Sequence, residues 1–348
     1  MMTEVLDIFT VPTTDVSLAS YRMSEVSQEG SGIVPMVFRS RGVEEFVDLS
    51  RSYFRFEISL TSDNPTNKGF YADGQGTGQA ADQSGDDYTK YIYPVNNFAH
   101  SIIRQMNLRF NGTLLSPQTD MYAYKAYIET LLNYTRAEGE TLLAPQGWKN
   151  MVNVDASLAA TSATNDKPAA ARTKWVSATD NPLKQLGGLL KQNQTATFIM
   201  KPHLEAFHTG RLLVPFTDII FEIFFNSPDF FMFGTTIATK KNILLKAENI
   251  KGWFHMCRVG LNPSVYNSLR DQMKSTSGPR KIAAYPTVRS ELRSLGFEGN
   301  STKFIQDNLF FGRVPDRVIV GLLDTRAFNG TVNYYPFAFQ KFGVTNIK

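Results

Sequence analysis

The stretch Tyr53 to Leu60, YFRFEISL, decides the fold class. Phe54, Phe56, Ile58 and Leu60 fall on one side of an extended chain, and Arg55, Glu57 and Ser59 on the other. A period of two marks a strand with one buried face. Other stretches carry the same signature. Gln105 to Phe110 (QMNLRF), Ala196 to Phe207 (ATFIMKPHLEAF, with Phe198, Met200, Leu204 and Ala206 in phase) and Asp218 to Phe225 (DIIFEIFF) all read as strands.

The turn after QMNLRF fixes how one pair of strands connects. Asn111-Gly112 supplies two residues that tolerate positive φ, as a two-residue type I′ hairpin requires. Thr113 to Leu115 is then the return strand, and Asn111 and Gly112 are structural hairpin residues. Asn111 also opens an Asn-x-Ser/Thr pattern, as do Asn133, Asn193, Asn300 and Asn329. Glycosylation is not expected at any of them.

Working outward, residues 1–30 show no clear periodicity and read as an extended arm. Residues 31–236 hold the strands just described, interrupted by long polar loops at 61–90 and 154–181. Loops of that length usually carry binding or surface variation. DMYAYKAYIETLLNY reads as an amphipathic helix, with Tyr124, Tyr127, Ile128 and Leu131 on one face and Thr119 or Asp120 as its cap. A second series fills 237–348: one or two strands in NILLKAENIKGWFHMCRVGL, a helix over 263–273, then KIAAYPTVRSEL and DRVIVGLLD. Many short strands, few helices and long loops imply an all-β chain of two consecutive jelly-roll β-sandwiches. With eight strands expected per unit, the second is expected to be incomplete in this chain.

Composition narrows the function classes. The chain has 348 residues, 36 basic and 32 acidic, for a formal charge of +4, and no run of five like charges. No basic arm marks a sequence-specific nucleic-acid reader. Cys257 is the single cysteine, so an internal disulfide is excluded and a reducing compartment is implied. The start, MMTEVLDIFTVPTTDVS, lacks the basic and apolar regions of a signal peptide, and synthesis in the cytosol is expected.

Candidate chemistry is sparse. His203 and His208, five apart on or after a strand, are expected to face opposite ways and to form no metal site. His100 belongs to no ligand spacing. His255 and Cys257 share a strand face, where packing against Trp253, Phe254 and Met256 is expected rather than nucleophilic catalysis. The glycines of Asp73 to Gln79 (DGQGTGQ) have no following helix or Lys to make a phosphate cradle. Asp63, Asp73, Asp82, Asp86 and Asp87 match no calcium-loop spacing. Glu57 and Glu222 are lone acids, not a glycosidase pair. Aromatics interleaved with basic residues, at Tyr53 to Phe56 and Lys251 to Arg258, lie mostly on the inward phase. No catalytic residue, cofactor site or metal site is expected.

Several segments together resemble one family. PVNNFAHSIIRQMNLRFNGTLLSPQTDMYAYKAYIETLLNY (Pro94 to Tyr134) and DNLFFGRVPDRVIVGLLDTRAFNGTVNYYPFAF (Asp307 to Phe339) resemble the double jelly-roll major capsid proteins of polinton/Maverick elements and adintoviruses. DIFTVPTT (Asp7 to Thr14) and VDLSRSYFRF (Val47 to Phe56) are similar to that family's opening segments. The resemblance implies a non-enzymatic building block of an icosahedral virion shell. It implies a homotrimer of pseudohexagonal outline that contacts neighbouring capsomers and a penton or minor capsid protein. It makes 61–90 and 154–181 candidates for outward-facing towers. That family's chains usually run further than this one, which agrees with an incomplete second unit.

Overall fold

The computed structural model describes residues 17–150 apart from 33, 60, 63–91 and 117–118. It also describes Leu186, Leu190 and 195–345, apart from 235–242, 245–248, 275–281, 298–302, 308, 310–313, 331–333 and 341. The long loops 61–90 (beyond Ser62) and 154–181 lie outside these residues, as do Leu60, the DGQGTGQ glycines and Asp63, Asp73, Asp82, Asp86 and Asp87.

The strands are β1 (Leu18–Glu29), β2 (Met36–Ser40), β3 (Phe46–Ile58), β4 (Thr61–Ser62), β5 (Ile92–Pro94), β6 (Ile103–Phe110), β7 (Thr113–Leu114), β8 (Ala196–Met200), β9 (Ile219–Phe225), β10 (Met232–Gly234), β11 (Ile243–Leu244) and β12 (Ile250–Leu261). The helices are α1 (Phe98–Ser101), α2 (Tyr122–Asn133), α3 (Arg136–Glu140), α4 (Pro228–Phe231), α5 (Pro263–Lys274) and α6 (Thr325–Phe328), with short 3₁₀ turns at Ala144–Gln146 and Glu205–His208. All the strand pairs are antiparallel.

Eight strands run in the order β7-β6-β9-β2-β1-β12-β3-β8. The row folds over at β1, whose Leu18 to Ser27 pair with β12 while Gln28 and Glu29 pair with β2. Two layers result, and their facing sides are aromatic. Phe38 of β2 and Phe221 of β9 meet Phe54 of β3 edge-on at 5.2 and 5.1 Å between ring centroids. Phe254 of β12 closes the cluster at 4.8 Å from both Phe54 and Phe221. Each of these rings is essentially fully buried. Burying one such side chain is worth about 1.5–3 kcal/mol. Gly252 lets β12 sit this close, because a Cβ there would lie 2.7 Å from the Phe38 ring and 2.9 Å from that of Phe56.

The pairing is nested: β2 pairs with β9 and β3 pairs with β8, so each of these early strands runs beside a late one. β6 then flanks β9 on its far side. Rolling an antiparallel ribbon onto itself in this way is how a jelly roll closes its two sheets. The protein is therefore an all-β, antiparallel jelly-roll fold with a few short helices.

Four local readings differ from the sequence expectations. The segment taken as an arm contains the twelve-residue β1. Its ladder bonds hold it; Ser24, Val26 and Gln28 alternate as half-buried, but only Val26 of the three is apolar, so the sequence shows no apolar period. β8 stops at Met200, before Pro202, which lacks an N–H, and the 3₁₀ turn at 205–208 follows. β12, beyond the expected boundary at 236, is bonded on both sides to strands of the first series. Finally, KIAAYPTVRSEL and DRVIVGLLD form no strands among the described residues. An alternating segment becomes a strand only where another backbone offers its N–H and C=O groups, and here Ile282 is 86% exposed and Val288 89%.

Candidate functional site

The residues with chemistry gather around α2, which lies against the end of the sandwich. Its expected apolar face was Tyr124, Tyr127, Ile128 and Leu131. The buried set is instead Tyr122, Ala123, Tyr124, Ala126, Tyr127 and Thr130, with Leu131 52% exposed. The helix is gripped from two directions, and the small Ala123 and Ala126 allow both contacts. Its N-cap is Met121 without a side-chain bond, not Thr119 or Asp120; the Asp120 carboxylate sits 3.5 Å from Arg104.

One grip is aromatic. The Tyr127 ring stacks on Phe337 at 4.0 Å between centroids with planes 4° apart, and Tyr124 stacks on Phe328 at 5.3 Å. Phe230 and Phe337 close on Tyr124 edge-on, both at 5.6 Å. The Asn96 backbone N–H donates to the Tyr335 hydroxyl at 3.2 Å. Asp307 to Phe339 therefore docks through its last third onto Pro94 to Tyr134, more than 200 residues earlier. Among the described residues the buried Tyr124 hydroxyl has no hydrogen-bond partner, and burial pushes its pKa upward.

The other grip is polar. His203 Nδ1 lies 2.8 Å from Glu129 Oε2, and its Nε2 lies 3.3 Å from Thr130 Oγ1. The Tyr122 hydroxyl accepts from the His203 backbone N–H at 3.2 Å and lies 3.1 Å from His100 Nδ1. His100 Nε2 lies 3.3 Å from Gln146 Oε1. Lys125 Nζ bonds Glu205 at 2.7 Å and lies 3.9 Å from Glu129. Burial, then the neighbouring His203, hold His100 well below the usual histidine range. Partial desolvation lowers His208, whose surface is otherwise exposed, with Lys201 next in weight. Burial alone would raise the Glu129 pKa, but the His203 bond and the Lys125 charge outweigh it and hold the carboxyl below its usual range.

The order Thr130–His203–Glu129 has the connectivity of a hydroxyl–imidazole–carboxylate triad. It lacks the nucleophile. Thr130 is 1% exposed and donates its proton to the Ala126 carbonyl at 2.7 Å, one turn back in α2. Beside the cluster, a cavity of about 250 Å³ is lined by Leu108, Phe110, Leu204, Glu205, Arg211 and Tyr285, among others.

His203 and His208 do not face apart. The 3₁₀ turn brings their rings to 6.3 Å, and one ligand atom each from Glu129, His203 and His208 lie within 4.8 Å of one another. Sequence spacing missed this because strand alternation does not run beyond Met200, and because Glu129 is 74 residues away. The other sequence candidates stay dispersed. Asn111 (φ 48°) and Gly112 (φ 81°) join β6 to β7, and the Asn111 side chain accepts the Asp218 backbone N–H at 2.8 Å. His255 stacks on Tyr53 at 4.9 Å, while Cys257 packs with Phe46 and Val259. Burial, then Asp48, raise the Cys257 thiol, away from the nucleophilic thiolate. Glu222 accepts from Asn107 at 3.0 Å and pairs with Arg109 at 3.4 Å, and Glu57 lies 3.6 Å from Arg55. Phe54, Phe56 and Phe254 point inward, whereas Trp253 is half-buried beneath Arg55, whose guanidinium carbon lies 4.3 Å from the ring centre. Among the described residues no helix is long and apolar enough to cross a membrane.

The fold is that of a jelly-roll β-protein whose chemistry concentrates at one helix. No family model matches the chain. It is similar to the uncharacterized protein F54H12.2 of Caenorhabditis elegans, with 22% identity over 256 residues, 73% of this chain and 53% of that protein. Among solved structures it is similar to a chain of the Sputnik virophage seen by cryo-electron microscopy, at a TM-score of 0.44 and 11% identity over 74% of this chain and 52% of that one. A second is PBCV-1 VP54 fitted into a reconstruction of Sputnik, at a TM-score of 0.33 and 10% identity over 75% and 46%. The chain spans about half the length of each. Overlaps this partial leave the assignment of fold to the strand pairing itself.

Proposed function

We propose that the chain is a building block of a viral shell, a major capsid protein of the double jelly-roll kind found in polinton/Maverick elements and adintoviruses. In this reading it works without catalysis, as a homotrimer of pseudohexagonal outline in an icosahedral virion capsid. Its partners are neighbouring capsomers and a penton or minor capsid protein. Host synthesis is cytosolic.

One observation carries the reading. The two long segments with the family resemblance, 94–134 and 307–339, are brought together in space by the Tyr127–Phe337 and Tyr124–Phe328 stacks. Their pairing in sequence has a structural reason, namely a shared junction at the end of the sandwich. The test is sedimentation of protein expressed from its complete reading frame. Three chain masses are expected at micromolar concentration; a single chain mass at every concentration overturns the proposal.

A further inference from the structure

The chain has four histidines, and three of them converge at α2. The His100 and His203 rings are 4.8 Å apart and those of His203 and His208 are 6.3 Å apart. Glu129 completes a set of two imidazoles and a carboxylate whose ligand atoms lie within 4.8 Å of each other.

The Thr130 hydroxyl donates to the Ala126 carbonyl, so its oxygen is left to accept from His203 Nε2. His203 Nδ1 then points at the Glu129 carboxylate, 2.8 Å away, and a ligand atom of His208 lies within 4.8 Å of both. A metal-binding histidine characteristically donates its second ring N–H to a fixed neighbour, which sets the tautomer and the ring plane. Thr130 is such a neighbour.

We propose that Glu129, His203 and His208 form a site for a divalent transition-metal ion such as Zn²⁺, which clamps α2 to the 201–208 segment. Imidazole and carboxylate donors suit Zn²⁺, bound at about 2.0–2.2 Å with tetrahedral angles. Donors around such an ion stand roughly 3.4 Å apart. Glu129 and His203 reach that spacing by opening slightly, and His208 by swinging inward from its exposed position. The fourth position falls to water on the His208 side. Lys125 stands near Glu129, but its ammonium is matched by Glu205 at 2.7 Å, so the carboxylate keeps its charge for the ion. The site is independent of the shell-building reading.

The full chain, stripped with chelator, is titrated with Zn²⁺ and separately with Co²⁺. Thermal stability is followed in the first case and visible absorption in the second. The expected results are a rise in Tm with Zn²⁺ and the intense bands of tetrahedral Co²⁺ between about 500 and 650 nm, with Mg²⁺ giving neither. His208→Ala, at an exposed position, should leave the metal-free Tm unchanged and weaken Zn²⁺ binding at least about tenfold. Glu129→Gln should weaken it likewise. Absence of the Co²⁺ bands in the unaltered chain, or equal Zn²⁺ affinity in the unaltered chain and His208→Ala, overturns the proposal.

Discussion

Truncating Phe337 to alanine tests whether the C-terminal segment belongs to the folded core. The ring is 2% exposed, stacks on Tyr127 at 4.0 Å, and has Tyr124, Phe230 and Tyr335 around its edge at 5.6, 6.1 and 6.0 Å. With aromatic neighbours on several sides, the site cannot collapse to fill the space. Removing a Phe from such a place costs about 3–5 kcal/mol, transfer and cavity together. For 348 residues the unfolding entropy is of order 0.7 kcal/mol/K, so Tm should fall by roughly 4–7 °C if the chain unfolds as one unit. Urea unfolding is the assay, and Trp148, 5.5 Å from the Tyr127 ring, is a built-in fluorescent reporter. Tyr127→Ala completes a double-mutant cycle, with a coupling of about 0.5–1.5 kcal/mol expected for the stacked pair. Val314→Ala, at a 94% exposed position, should change nothing measurable. A loss below about 1 kcal/mol for Phe337→Ala, with no coupling to Tyr127, would refute the docking of 307–339 on α2.

Three further outcomes follow from single positions. Gly112→Val should destabilise by about 1–2 kcal/mol through positive φ alone, since no atom lies within 4 Å of its added Cβ, while Gly112→Asn should be tolerated; equal thermal melts for the two variants contradict this. Tyr124→Phe removes a buried hydroxyl without a partner and should leave stability unchanged or raise it by about 1–2 kcal/mol in a urea titration; a clear loss points to a bond that the geometry lacks. Cys257, 3% exposed with its pKa raised by burial, should react with a thiol reagent at pH 8 only after denaturant is added; rapid labelling of the native chain contradicts its place beside Phe46 and Val259.

The parts of the fold legible in the sequence are those where burial is one-sided. β3 and β9 alternate because one face of each meets the opposite sheet, and Phe54, Phe56, Ile219, Phe221 and Ile223 could be read directly. β1 was illegible for the converse reason: ladder bonds to β12 and β2 hold it, and those bonds leave no mark on side-chain order. Of the expected α2 face, Tyr124 and Tyr127 are buried while Leu131 is exposed, and Ala123, Ala126 and Thr130 are what let the helix be approached from two sides. The Glu129–His203–His208 cluster needed the strand to end before Pro202, a 3₁₀ turn at 205–208 and a partner 74 residues away, and none of these leaves a spacing signature. KIAAYPTVRSEL and DRVIVGLLD have the apolar residues of strands, but composition records only which side chains avoid water. It does not supply the backbone that must pair with them.

The claim that this sandwich is a shell unit meets its most direct test in electron microscopy of the protein made from its complete reading frame. The account calls for threefold particles of hexagonal outline, tiling into sheets or closed shells. Isolated single-chain particles that never associate, at any concentration or ionic strength, would contradict it.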